Sequence, residues 1–170
     1  DKLSYYVILD RPIKITGQDA VLKDIAFVID STDVSLDGLT LTSTMNLGPL
    51  VTVGKSDVSI SNMNISYIVK DGDSVAIDIK DVDNVNVTDS VIYVETHITE
   101  DTSSASAINV DKSSNILIDG NEFTTSFPAL YASNYDWDYF MMGLNTVNPI
   151  RLRASENITF TNNKVNSTLN

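Results

Sequence analysis

Asp33-Val34-Ser35-Leu36-Asp37-Gly38-Leu39-Thr40-Leu41 is the stretch that decides the fold, because variants of it return four more times along the chain. Each copy alternates apolar and polar residues, turns at a small or polar residue, and becomes apolar again. The later copies occupy residues 57–65, 84–92, 115–123 and 157–165. A phrase that recurs at a steady register is typical of a repeat protein in which successive copies stack.

Three positions in each copy carry the pattern. The first apolar residue, here named the anchor, is followed two residues later by a second apolar residue, and this spacing predicts a strand with one face inward. The anchors are Val34, Val58, Val85, Ile116 and Ile158. Four residues after each anchor comes a residue type that tolerates positive φ, which predicts a sharp bend. These bend residues are Gly38, Asn62, Asp89, Gly120 and Asn162.

A second strand follows each bend, and a third precedes each anchor. Seven residues after the anchor the chain is apolar again, at Leu41, Ile65, Ile92, Phe123 and Val165. The apolar pairs before the anchors are Phe27/Ile29, Val51/Val53, Ile77/Ile79, Ile108/Val110 and Ile150/Leu152. Three short strands per copy, none able to bury its inner face alone, predict an all-β, three-faced parallel β-helix.

We expect this coil to be right-handed, as parallel crossovers generally are, and to hold about five or six three-stranded rungs. Residues 7–17 supply the strands of a starting rung. The alternative all-β architecture, an antiparallel sandwich, is disfavoured for two reasons. The hairpin signal Asn-Gly is missing between successive strands, and sandwiches do not repeat one phrase at one register.

The distance between copies grows along the chain, from 24 to 27, 31 and 42 residues between anchors. Nearly all of the growth falls in one connection, after the strand that follows the bend. Insertions in a stacked repeat map to loops on one face, which is often the binding face. We therefore predict loops along one edge of the coil at residues 43–49, 67–74, 94–106 and 124–149.

The longest of these loops, 124–149, is rich in aromatic residues and holds the single Trp of the chain. Flat rings stack on the apolar faces of sugars, and carboxylates accept hydrogen bonds from sugar hydroxyls. The candidate ligand-binding residues are Tyr131, Tyr135, Asp136, Trp137, Asp138 and Tyr139. The other interpretation remains open: a loop this long needs apolar content simply to pack over the end or side of the coil.

Composition narrows the function. The 170 residues carry 11 basic and 23 acidic side chains and a net charge of −12, which disfavours nucleic acid and anionic membranes as partners. There is no Cys and one His, so thiolate sites and multi-histidine metal sites are excluded. No apolar run is long enough to span a bilayer. We expect residues 1–170 to form a single domain that is part of a larger protein.

Several polar features allow either a site or a plain surface role. Aspartates near 71–73 and 81–83 would suit calcium, but turn carboxylates are usually just solvated. His97 lies in a predicted loop, with no partner that the sequence fixes. Arg151 and Arg153 flank Leu152 on one strand, where they could bind the carboxylates of acidic sugars or balance neighbouring aspartates.

The five phrases, with their Gly, Asn or Asp bends, resemble the pectate-lyase-like superfamily of right-handed parallel β-helices. The closest resemblance is to the β-helix repeats of archaeal adhesin-like cell-surface proteins, in which an opening like residues 8–17 precedes rungs rich in Asn and Ser. This resemblance implies the fold over nearly the whole chain and says little about activity.

Two enzyme branches share the resembled fold, and neither motif set transfers. The Asp-Asp pair and the Gly-His-Gly of polygalacturonase-like hydrolases are absent, and Arg151-Leu152-Arg153 is a loose echo of their Arg-Ile-Lys. Pectate lyases combine outward calcium-binding aspartates with a basic catalytic residue. Arg151 or Arg153 could act so only if aspartates of lower rungs lined up with them.

We therefore expect a non-catalytic, extracellular β-helix module of a cell-surface, adhesin-like protein that serves as a stalk or in adhesion. Its expected partners are a glycan or another cell-surface ligand and further rungs or domains of the same chain. No catalytic residue, metal site or cofactor is expected. The alternative is a polysaccharide lyase or glycoside hydrolase acting on an acidic polysaccharide.

Overall fold

The computed structural model describes residues 5–18, 20–69, 73–96, 104–127 and 146–169. In these residues the chain forms nineteen strands and no helix, and thus has no helix there that could span a membrane. The strands form three parallel sheets, and consecutive strands pass from one sheet to the next. The chain is a right-handed parallel β-helix, as predicted.

Sheets B and C take one strand from every turn of the coil, and sheet A takes two short strands from the last turn. Sheet A contains β1 (Tyr6–Leu9), β4 (Ala26–Ile29), β7 (Val51–Val53), β10 (Ser74–Lys80), β13 (Ser104–Asp111), β16 (Thr146–Val147) and β17 (Ile150–Arg153). Sheet B contains β2 (Ile13–Thr16), β5 (Val34–Asp37), β8 (Val58–Ser61), β11 (Asp83–Thr88), β14 (Ser114–Asp119) and β18 (Glu156–Thr161). Sheet C contains β3 (Val21–Lys23), β6 (Thr40–Ser43), β9 (Asn64–Val69), β12 (Val91–Thr96), β15 (Glu122–Phe127) and β19 (Lys164–Leu169).

The strands stack in register, which gives six rungs over the described residues. The five anchors form one column of sheet B, in which each pairs with the anchor of the next rung, and Ile13 extends the column into rung 1. The apolar residues of sheets A and C align in the same way, for example Phe27 with Val51 and Leu41 with Ile65. The predicted interior rows are confirmed.

The core lies inside the coil and is closed best in its middle. Anchors of rungs 2–5 are at most 2% exposed. In the end rungs the same rows come to the surface, and Ile13 is 39% and Phe160 43% exposed. Phe160 stacks on Phe123 of the rung below, with ring centroids 6.3 Å apart. The end rungs therefore lack the second neighbour that buries the inner residues of the other rungs.

All five predicted bend residues have positive φ, between 51° and 68°. A second row of positive φ, which the sequence reasoning missed, comes immediately before the anchors at Asp33, Asp57, Asn84, Asn115 and Asn157. Asp and Asn adopt this conformation more readily than other non-glycine residues, since their short polar side chains bond locally. Each corner of sheet B thus turns through one left-handed residue.

The predicted loops are shorter than the sequence suggested, so the bounds of three of them are wrong. Strand β9 continues to Val69, β12 to Thr96 and β15 to Phe127. These extensions pair with one another across rungs, with Tyr67 beside Val94 and Val94 beside Thr125. Neighbouring long strands satisfy the hydrogen-bonding groups of each other's backbones. This cause of strand extension cannot be read from the sequence of one repeat alone.

Candidate functional site on the outer faces

The outer face of sheet A in rungs 4–6 carries the charged side chains nearest to an active-site arrangement. Asp78, Asn109 and Arg151 form one outward column as successive register partners. Asn109 donates from Nδ2 to Oδ1 of Asp78 at 2.6 Å. A second column, two residues farther along the strands, holds Lys80, Asp111 and Arg153. The lyase interpretation of Arg151 or Arg153 requires aspartates of lower rungs to align with them on this face.

Arg153 is held in a two-pronged ion pair. Its Nε donates to Oδ1 of Asp111 at 2.9 Å, and its Nη2 donates to Oδ2 at 2.8 Å. This hydrogen bonding holds the pKa of Asp111 below its usual range and raises the pKa of Arg153 above its own. Both groups are fixed in their charged forms, so Arg153 is a poor proton acceptor. The sequence alternative that arginine balances a neighbouring aspartate is realised here.

Arg151 differs from Arg153, because its side chain is exposed and has no ion-pair partner among the described residues. Its register partner is Asn109, and Asp78 lies one rung farther down. The column therefore places a free guanidinium and a carboxylate two rungs apart, with an amide between them. Such a column can bind an anion or hydrogen-bond a sugar, but it lacks two carboxylates flanking one position.

A second set of carboxylates lies at the corners of sheet B, where each accepts hydrogen bonds from the next rung. Asp37 accepts from Asn62 Nδ2 at 2.8 Å and from Ser61 Oγ at 3.0 Å. Asn62 and Ser61, in that order of effect, hold the pKa of Asp37 below its ordinary value. An aspartate held this way links two rungs and is ionised at neutral pH, where it has no proton to donate.

The same tie recurs in the later rungs. Asp83 accepts from Ser114 and Asn115, and Asp119 accepts from Thr161 and Asn162, at 2.7 to 2.8 Å. In both cases these hydrogen bonds lower the aspartate pKa. Among the described residues, every Asp or Glu with a resolved pKa shift is shifted downward.

A shallow open groove of about 410 Å³ runs over the corner between sheets A and B in rungs 2–4. Its lining is mostly polar and consists of Asp33, Val34, Ser35, Asp57, Val58, Ser59, Asn84 and Asn86. Asn84 donates from Nδ2 to Oδ1 of Asp57 at 2.6 Å, and Thr32 donates from Oγ1 to Oδ2 of Asp33 at 3.1 Å, so both lining carboxylates are already engaged. In the sequence, the polar lining of this groove corresponds to the Asp or Asn at the start of each phrase.

In the part of the chain that the structure describes, no three His, Cys, Asp or Glu side chains lie close enough together to hold a metal ion. Asp81 and Asp83 of the proposed calcium stretch belong to this part, whereas residues 71 and 72 do not. His97 also lies outside the described residues. So do all six candidate ligand-binding residues: Tyr131, Tyr135, Asp136, Trp137, Asp138 and Tyr139. The interpretations of that loop stay predictions.

Comparison with known proteins adds no assignment. No protein-family model, no curated protein and no solved structure matches this chain.

Proposed function

We propose that this chain is a non-catalytic, extracellular β-helix module of a cell-surface, adhesin-like protein, acting as a stiff stalk or an adhesion domain. The observation that carries the proposal is the use of the outward carboxylates. Asp37, Asp83 and Asp119 each accept hydrogen bonds from the following rung, which ties rungs together. Their chemistry serves the stiffness of the column.

The protonation states support a structural role for these groups. A glycoside hydrolase needs one carboxylic acid with a raised pKa to protonate the leaving oxygen, beside a second carboxylate. The lowered pKa values of Asp37, Asp83 and Asp119 oppose that role at neutral pH. Both partners of each carboxylate donate to Oδ1, so that oxygen is already engaged.

Stiffness suits a stalk or presenting domain. The three parallel sheets run the length of the described coil, and each rung shares backbone hydrogen bonds with its neighbours. Side-chain ties then cross the same rung boundaries on the outside. The resemblance to adhesin-like cell-surface repeats and to the pectate-lyase-like superfamily supports the same proposal, as does the surplus of acidic residues that keeps the outer wall hydrated.

A second candidate function, a lyase for acidic polysaccharides, is favoured by one observation. Arg151 is exposed above Asn109 and Asp78 on one outward column of sheet A, so the alignment of an arginine with lower-rung residues exists. Against it stand the bound state of Arg153 and the lack of a three-residue metal cluster among the residues described.

Product analysis separates the two functions. The protein is incubated with polygalacturonate, alginate and neutral polysaccharides, with and without calcium, and new reducing ends and unsaturated uronate absorbance are measured. We expect no product with any of them. Product formation that is abolished by Arg151→Ala, while Arg153→Ala leaves it intact, would replace the adhesion proposal by the lyase. A glycan array on the same protein then tests for adhesion.

A further inference from the structure

The outer face of sheet C carries an apolar strip in rung 4 that the repeat does not require. Val91 is 51% exposed, although it lies in a strand with rungs on both sides. Every other exposed large hydrophobic residue in the described strands belongs to rung 1 or rung 6, where the coil ends. Val91 therefore marks a lateral surface and not an unfinished end of the coil.

Tyr93 lies two residues farther along the same strand and on the same outward side. It is partly exposed, and the residues on both sides of it in the strand, Ile92 and Val94, are fully buried. The other described tyrosines are Tyr5 and Tyr6 in the first rung and Tyr67 in the core. Tyr93 is thus the tyrosine that the described coil presents on a side wall.

The ring of Tyr93 is held in place. Its hydroxyl donates a short hydrogen bond to the carboxylate of Glu95, two residues ahead on the same strand. Ser126, the register partner of Glu95 in rung 5, also hydrogen-bonds the Tyr93 side chain. Burial, followed by the bond to Glu95, raises the pKa of Tyr93. Because these hydrogen bonds hold the hydroxyl, the ring is already ordered before any ligand arrives.

Hydrogen-bonding groups flank the ring on both neighbouring rungs. Ser66 and Thr124 are the register partners of Tyr93 in rungs 3 and 5, and both face outward between buried residues. The strands that carry these two residues lie on either side of β12 at the parallel-strand spacing of roughly 4.8 Å. An apolar strip with hydroxyls at its sides and a carboxylate at its end matches the surface of a sugar ring.

We propose that Val91, Tyr93, Ser66, Thr124 and Glu95, here called the sheet C platform, bind a pyranose ring of a neutral polysaccharide. The apolar sugar face stacks on Tyr93 and Val91, and the sugar hydroxyls bond to Ser66, Thr124 and Glu95. Neutral sugars are specified because Glu95 and the net charge of −12 repel uronates. This inference rests on the proposed adhesion function and gives it a ligand class.

The test compares four proteins: wild type, Tyr93→Ala, Tyr93→Phe and Leu117→Ala. Leu117 is an outward, partly exposed residue of sheet B, so its truncation is a matched control on another wall. The probes are neutral hexasaccharides of glucose, mannose, galactose or N-acetylglucosamine, with an oligogalacturonate as the acidic comparison. Calorimetry gives Kd, and circular dichroism with thermal unfolding checks that each variant is folded.

We expect wild type to bind at least one neutral hexasaccharide, with Tyr93→Ala weakening Kd about tenfold through loss of ring stacking. Tyr93→Phe keeps the ring and should weaken Kd only a few-fold, and Leu117→Ala should leave it unchanged. The platform is contradicted by equal binding in wild type and Tyr93→Ala, by binding of the oligogalacturonate alone, or by no binding at all. The non-catalytic proposal is decided separately, by whether polysaccharide products form.

Discussion

The corner between sheets B and C is built in two ways in one coil. Five residues after the anchor, rungs 2 and 3 place Leu39 and Met63, which are 3% and 1% exposed. Rungs 4, 5 and 6 place Ser90, Asn121 and Asn163 at the same position. The first half of the coil closes this corner by apolar packing, and the second half closes it with polar side chains.

The polar half works because each side chain satisfies the backbone of the rung before it. Asn121 accepts a hydrogen bond from the backbone N–H of Ser90 at 3.0 Å and donates to the carbonyl of Val87 at 2.9 Å. The hydroxyl of Ser90 accepts in turn from the backbone N–H of Met63 at 3.0 Å. A buried amide is tolerated when all its groups are paired, so the polar corner depends on hydrogen bonds with the neighbouring rungs.

The largest effect should come from breaking the polar corner at Asn121, which is 2% exposed. Asn121→Leu removes the bonds that this side chain makes to the backbone N–H of Ser90 and to the carbonyl of Val87. We expect a loss of about 4 kcal/mol in the free energy of unfolding, since each buried unsatisfied group costs about 1–3 kcal/mol. Urea unfolding measures it. Asn163→Leu in the half-open last rung is the control and should cost less, and a loss below about 1 kcal/mol at Asn121 would contradict the account.

The opposite substitution, from an apolar to a polar residue, tests the apolar half of the same corner. Leu39→Asn places an amide in the apolar corner, where the next rung offers the side chain of Met63 at the equivalent position. We expect a loss of about 3 kcal/mol from lost packing and an unpaired amide. Leu39→Met, which conserves volume, should cost less than about 1.5 kcal/mol. Equal unfolding midpoints for the two variants would mean that this corner is indifferent to polarity.

Substitutions at the bend residues should lower the free energy of unfolding equally in both halves of the coil. The difference between the halves is then confined to the corner between sheets B and C. Gly120 has φ +68°, and a Cβ there would lie 2.7 Å from Oδ1 of Asp89. Gly38 has φ +67°, and a Cβ would lie 2.9 Å from the carbonyl oxygen of Gly17. We expect Gly120→Ala and Gly38→Ala each to cost about 1–2 kcal/mol in urea unfolding. A bend that accepts alanine without loss would show that its left-handed residue is dispensable.

Acid pH should lower the free energy of unfolding slightly, through aspartates in both halves of the coil. The pKa of Asp37 in the first half and of Asp119 in the second are both lowered by hydrogen bonds from the next rung. Folding therefore gains stability above the ordinary aspartate pKa of about 3.9, and this gain is lost as pH falls through the lower folded value.

The check is urea unfolding at about pH 6 and about pH 3, in wild type and in the Asp37→Asn and Asp119→Asn variants. Each substitution should make the stability less dependent on pH across this window. Glu156→Gln is the control, because Glu156 is an exposed carboxylate in the last rung. A pH dependence that is unchanged in both aspartate variants would mean that neither tie acts through its charge.

Local spacing was enough to predict the column. The strand rows, the inward anchors and the five bend residues depend on residue type at short range, and all are realised in the structure. The ends of β9, β12 and β15 were set too early, because those residues are strand only through pairing with one another. The ladder through Asn121 was missed for the same reason, since it needs a partner in another rung.

Less of the candidate site was predictable. Arg153 and Asp111 are 42 residues apart, and their pairing depends on register across the longest insertion. Tyr93 was not predicted as a site residue. The alternation of apolar and polar residues shows only that it faces outward, and its hydrogen bond to Glu95 has no local sequence signal. The aromatic residues predicted to bind a ligand, such as Trp137, lie outside the described residues, and their role remains a prediction.

The central claim is that equivalent residues sit directly above one another, and disulfide trapping tests it in a chain without Cys. Ser35 and Ser59 are outward register partners on β5 and β8, whereas Ser61 is one outward position farther along β8. Adjacent parallel strands lie about 4.8 Å apart, within disulfide reach. Mild oxidation of the Ser35→Cys/Ser59→Cys variant should form an intramolecular disulfide, and Ser35→Cys/Ser61→Cys should not. Cross-linking of the second pair in place of the first would contradict the stacked register.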